Sequence, residues 1–150
     1  MKLVPFALLA AFSLPASADI LIDGQVSAPR SWSAADLKAQ APVTVEASYL
    51  AHAEEHARFT GVSLWTLISM AKPIDAEGKN AKLRHTLIVT GSDGYAVAVA
   101  FGEFDPEFEG KQVLLAYERD GKPVESLQLV MPGDKRGGRY IHDIVHIEVK

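Results

Sequence analysis

The chain of 150 residues contains no cysteine. Without a thiol it forms no disulfide, and no thiolate is available as a nucleophile or metal ligand, so every cysteine-based catalytic scheme is excluded and stability must come from a packed core. Long apolar runs are also missing: no segment reaches the roughly 20 consecutive apolar residues that a membrane-spanning helix needs. Positive charge is in the minority, with 15 Lys and Arg against 19 Asp and Glu. A mildly acidic surface has no general attraction for nucleic acid, and no nucleic-acid partner is expected. There is no G-x-S-x-G elbow, no P-loop and no dinucleotide-binding glycine pattern. Internal repeats and low-complexity segments are absent as well.

What is present begins with MKLVPFALLAAFSLPASA. One basic residue, Lys2, precedes an apolar run from Leu3 to Leu14 and the small-residue pattern Ala16-Ser17-Ala18, the three parts of a cleavable export signal. Residues 1–18 are therefore expected to be a Sec-type signal peptide and residues 19–150 a single domain delivered to a periplasm. Removing 18 residues leaves 132, the size of one domain with one core, with no membrane span after cleavage.

Ile20-Leu21-Ile22 before Asp23-Gly24 reads as a short strand and a turn. Ser33-Ala34-Ala35-Asp36 has capping-box spacing and starts a short helix that Pro42 follows. Val43 to Val45 is strand-like, and SYLAHAEEHARFTG after it has no clear period, as in an excursion or a long hairpin arm. LWTLISMAK repeats Leu64, Leu67, Ile68 and Ala71 at helical spacing, with Ser63 placed to cap it. Leu87 to Val89 forms a strand and Ser92-Asp93-Gly94 a turn. In YAVAVAF the bulky Tyr95, Val97, Val99 and Phe101 share one face, while the alanines leave the other face open to a packed neighbour. VLLAYER and LQLVM form a hairpin about Asp120-Gly121. A final strand is expected over Tyr140 to Val149, with Ile141, Val145, Ile147 and Val149 on one side and His142, His146 and Glu148 on the other. Strands outnumber helices without a βαβ rhythm, so the fold class is mixed α+β and β-rich.

Three groups of residues could carry chemistry. His52-Ala53-Glu54-Glu55-His56 matches H-x-x-E-H, in which two His one helical turn apart bind zinc and a Glu acts as base. No second helix follows with a third acidic ligand, so a zinc site at His52, Glu55 and His56 stands only as an alternative to a solvated charged segment. His142 and His146 would lie roughly 13 Å apart on a strand, too far to share an ion. PGDKRGGR, Pro132 to Arg139, gathers three cations and three glycines in one loop, where backbone N–H groups and guanidinium forks can meet an anion. The plain alternative is a flexible loop with solvated charges.

Several segments together resemble the sulfite-oxidase-type molybdopterin-binding domain in its small exported form. FTGVSLWTLISMA, Phe59 to Ala71, resembles that family's "W/F-x-G-V-x-L-x-x-L-L-x-x-A" segment, DGYAVAV its DGY strand, and LLAYERDGKPV its "L-A-Y-x-x-D-G-x-x-L" hairpin. LQLVMPGDKRGGRYIHDIVHIEV is similar to the closing "R-x-V-x-P-G-x-x-G-x-R-x-V-K-W-x-x-x-I-x-V" stretch. The resemblance implies a single mixed α+β domain in which the loop before the final strand and the region after the second strand line one pocket. In catalytic members a cysteine thiolate from the segment before F-x-G-V binds molybdenum, and VTVEASYLAHAEEH has none. Ser48, His52 or Glu54 would be ligands of another class. The family's Lys-Trp pair is His142-Asp143 here. Cofactor-loaded proteins leave the cytoplasm folded by the twin-arginine route, and residues 1–18 contain no arginine.

The expectation is therefore a non-catalytic periplasmic module of this fold with no cofactor, in which Asp93, Tyr95, Lys135, Arg136, Arg139 and His142 bind a small anionic ligand. A signalling or redox partner protein is the other occupant considered. The enzyme alternative is a molybdopterin-dependent oxidoreductase with an unusual metal ligand.

Overall fold

The computed structural model describes residues 18–150, so the expected signal peptide lies outside the described residues except for Ala18. Two sheets share the chain. The first contains β1 (Ile20–Gly24), β2 (Arg30–Trp32), β5 (Thr86–Gly91), β6 (Ala96–Ala100) and β9 (Ile144–Val149), in the order β2-β1-β9-β5-β6. Its β1 and β9 are parallel and every other neighbour is antiparallel. The second is wholly antiparallel, in the order β3 (Val43–Leu50), β4 (Glu54–Ser63), β7 (Leu114–Arg119) and β8 (Lys122–Val130).

Helices are few: α1 (Ala34–Lys38), α2 (Leu64–Ala71) and the single turn α3 (Phe101–Phe104). At α1 the expected capping box is present, with Ser33 Oγ accepting from Asp36 N–H and Asp36 accepting from Ser33 N–H, both at 3.0 Å. The α2 periodicity buries Leu64, Leu67, Ile68 and Ala71 as expected, but Ser63 makes no side-chain capping bond; instead Leu64 N–H donates to Val113 C=O at 2.9 Å. One core joins both sheets and the helices, drawing on Ile20, Ile22, Leu87, Val89, Ile147 and Val149 from the first sheet and Phe59, Leu114 and Leu129 from the second.

Gly61 fixes how closely β4 and β7 approach. A Cβ there would sit 2.1 Å from the Leu115 carbonyl oxygen, so no other residue fits. The pairing slips at this point, leaving Tyr117 as an extra residue.

Three expectations about the sheets need correction. The final strand is shorter, because Asp143 takes φ 53° and Val145 is skipped in the β5 pairing, where Thr90 faces His146 and Gly91 faces Ile144. This bulge buries Ile144 and leaves Val145 half-buried, and His142 lies before the strand. The alternation in YAVAVAF ends early, since Tyr95 is exposed in the turn and Phe101 enters α3. Among the described residues no neighbour packs on the alanine face: β6 is the edge strand, and Ala96, Ala98 and Ala100 are exposed.

Candidate functional site

The β3–β4 hairpin explains where the HAEEH segment goes. It is not a helix. His52 lies at the tip and Glu55 and His56 on β4, where consecutive side chains point to opposite faces. Glu55 binds Arg119 Nη2 at 2.5 Å, and His56 Nδ1 meets Ser48 Oγ at 2.6 Å on the other face. The zinc alternative thus loses its geometry. Among the described residues no three His, Asp or Glu side chains converge as metal ligands.

Ser48 and His56 are one rung of a cross-strand ladder. Thr44 and Thr60 bond at 2.8 Å, Glu46 and Arg58 approach to 3.6 Å, and Leu50 faces Glu54 in the last rung. Each pair is equidistant in sequence from His52, so the hairpin register itself brings these polar partners together. The other face of β3 buries Tyr49, which stacks on Tyr140 with ring centroids 3.7 Å apart. Tyr140 donates to Met131 C=O at 3.0 Å, and burial, with help from nearby Tyr49 and Asp134, pushes its phenol up to about 12.

The cation-rich loop closes against this hairpin. Met131 to Asp134 forms a turn with Gly133 at φ 93° and a bond from Asp134 N–H to Met131 C=O of 3.1 Å. The chain then runs parallel to the tip of β3, with Leu50 N–H donating to Lys135 C=O at 2.9 Å and Arg136 bridged to Leu50. Gly137 passes over the Tyr49 ring, where a Cβ would come within 3.1 Å of it. Between hairpin and loop opens a cleft of about 450 Å³, lined by Ser48, Tyr49, Leu50, Glu54, Glu55, His56 and Lys135.

The three loop cations have different surroundings. Arg139 is occupied within the chain: Nε and Nη2 donate to Asp134 at 2.8 and 2.7 Å, and Nη1 and Nη2 donate to Glu103 at 3.1 Å each. Nη1 also reaches Ala98 C=O at 3.3 Å. Asp134 and then Glu103 hold the guanidinium above its ordinary range. Burial pushes Glu103 up, but bonds from Arg139, the Ala100 N–H and Lys111 outweigh it and leave the carboxyl below its usual value. Among the described residues, by contrast, neither Lys135 nor Arg136 has a carboxylate at salt-bridge distance, and both are exposed.

The remaining expected residues are spread around the loop rather than in the cleft. Tyr95 donates its hydroxyl to Gly138 C=O at 2.8 Å, tying the β5–β6 turn to the loop. Asp93 accepts from Tyr95 N–H at 2.9 Å and shapes that turn. His142 is exposed, 3.4 Å from the buried Gln128 amide. Lys135 is thus the one expected ligand residue that lines the cleft. Sequence reasoning missed the Ser48–His56 pair, Glu54 as a lining residue, and Glu103 and Asp134 as partners of Arg139. The symmetry about His52 could have revealed the first.

No family model and no curated protein matches this chain. Solved structures do, 29 chains in all. Among them the Sulfane Dehydrogenase SoxCD from Paracoccus pantotrophus superimposes on 88% of this chain with a TM-score of 0.69 at 18% identity.

The fold is of the sulfite-oxidase type.

At that identity the likeness concerns the fold alone, and this chain spans 38% of the SoxCD chain. The sequence resemblance, as distinct from the fold, implies a molybdenum group held by soft sulfur ligands. The cleft offers hydroxyl, imidazole, carboxylate and ammonium groups and no thiolate, and the chain contains no cysteine. These donors do not fit a metal held by soft sulfur.

Proposed function

We propose that the chain is an exported, non-catalytic ligand-binding module that has kept the sulfite-oxidase-type fold without its cofactor, and that its cleft binds a small anionic ligand through Lys135. The carrying observation is the contrast among the loop cations. Arg139 is neutralised by Glu103 and Asp134, whereas Lys135 lines the cleft with no carboxylate partner among the described residues. An ammonium without an ionic partner, in a cleft that also offers a hydroxyl and an imidazole, can hold the negative group of a ligand. Arg136, exposed next to it, adds to the attraction. The export signal in residues 1–18 supports a periplasmic setting and a route incompatible with a preloaded cofactor.

The Ser48–His56 pair does not by itself make the cleft a hydrolase. It belongs to a ladder of similar rungs, and among the described residues no carboxylate bonds the other imidazole nitrogen to orient it as a general base.

Two measurements test the reading. Protein purified gently from the cells that export it should contain less than about a tenth of a molybdenum or pterin per chain; stoichiometric amounts of both would replace this reading with an enzyme. Acetate titrated into the protein should perturb the amide resonances of Ser48 to Leu50 and His56, and Lys135→Met should abolish the response. An unchanged response in that variant would refute the role of Lys135.

A further inference from the structure

The charges around the cleft point to the chemical class of its ligand. The hairpin and loop pair their charges at several places: Glu46 with Arg58, Glu55 with Arg119, and Arg139 with both Glu103 and Asp134. Two oppositely charged groups lining the cleft are exceptions. Among the described residues neither Lys135 nor Glu54 has an ionic partner, and they do not reach one another, although both line the same space. Such an arrangement attracts a dipole. A simple anion would be drawn to Lys135 but opposed by Glu54, and a simple cation would meet the reverse.

We propose that the cleft is a site for a small zwitterion, with a carboxylate or sulfonate held by Lys135 and an ammonium held by Glu54. This rests on the reading of the cleft as a ligand site and makes it more specific. Glu54 and Leu50 form one rung and His56 and Ser48 the next rung on the same face, roughly 7 Å along the strands. The Ser48–His56 bond leaves the second imidazole nitrogen and the serine oxygen able to bond a ligand. Leu50, 40% exposed, offers an apolar surface for a short alkyl spacer. At about 450 Å³ the space falls within the ordinary range for small-molecule sites.

The test is calorimetric titration of the full exported protein with glycine, β-alanine, 4-aminobutyrate and taurine, which step the separation of the two charges. Acetate and methylammonium serve as single-charge controls. At least one zwitterion should bind tenfold or more tightly than either control, and Lys135→Met and Glu54→Gln should each remove that preference. Both positions are exposed, so melting temperatures should stay at the wild-type value. The acetate response separates the two claims. Glu54→Gln should leave acetate binding intact or strengthen it, because a repelling charge has gone. Zwitterion binding unchanged by Glu54→Gln, with acetate binding still dependent on Lys135, would overturn the zwitterion class while the anion reading stands. No binding of any probe, acetate included, would overturn both.

Discussion

Replacing Arg139 with alanine should destabilise this domain strongly, although the residue lies in a glycine-rich surface loop. The guanidinium makes two paired sets of hydrogen bonds, to Asp134 and Glu103, and removing it leaves those carboxylates facing the space it filled. Breaking a fully buried ion pair costs about 3–5 kcal/mol. Here Arg139, Glu103 and Asp134 are 27%, 20% and 19% exposed, so water partly compensates. Glu103 also keeps its bonds from Ala100 N–H at 2.9 Å and Lys111 at 3.2 Å. The expected loss is therefore about 2–3 kcal/mol. For a chain of this size that lowers the melting temperature by about 6–10 °C. Arg136→Ala is the control, and as an exposed substitution it should cost less than about 0.5 kcal/mol.

The assay is thermal unfolding by circular dichroism at neutral and acid pH. Glu103 titrates below its usual value in the folded state, so its contribution is present above the ordinary carboxylate range and is lost as pH falls through the lowered value. The gap between wild type and Arg139→Ala should accordingly be widest near neutrality and narrow in acid. Equal melting temperatures for the Arg136 and Arg139 variants at neutral pH would refute the clamp.

Two further outcomes concern the packed interior. The Tyr140 phenol is pushed up to about 12 in the folded state from 10, so stability should fall as pH rises from 10 to 12. That is worth about 2 kcal/mol, and urea midpoints should show a shallower alkaline decline in Tyr140→Phe; an identical slope would mean the ring is not held as described. Gly61→Ala would place a methyl group 2.1 Å from the Leu115 carbonyl oxygen and should cost about 3 kcal/mol or prevent folding, whereas melting within 2 °C of wild type would show that β4 and β7 can separate there.

Local signals in the sequence were sufficient for α1, α2, the β7–β8 hairpin and the α+β class, because capping and periodicity act over a few residues. The end of the chain departs from the local reading because Asp143 takes φ 53° and Val145 bulges where Ile144 pairs with Gly91, 53 residues earlier in the chain. The HAEEH motif shows how pattern and conformation can part. Its two His residues would meet one ion only on a helix, and alternation of Val43, Val45, Ala47 and Tyr49 with polar residues instead makes the segment a hairpin.

The candidate site is legible in the sequence to the level of the loop but not to the level of what each of its cations touches. Lys135, Arg136 and Arg139 look alike in sequence, and which of them is spent depends on Glu103, 36 residues away, being carried into place by α3. The same contact bears on function. A guanidinium already saturated by two carboxylates can bind an external anion only if it releases them, at the cost of most of the stability that the Arg139 clamp supplies. Lys135 needs no such exchange, since among the described residues its ammonium has no ionic partner and its backbone carbonyl is already anchored by Leu50. On the proposed reading, ligand binding and stability fall to different residues of one loop. Lys135→Met should weaken binding without changing the melting temperature, and Arg139→Ala should do the opposite until the loop itself loses its shape.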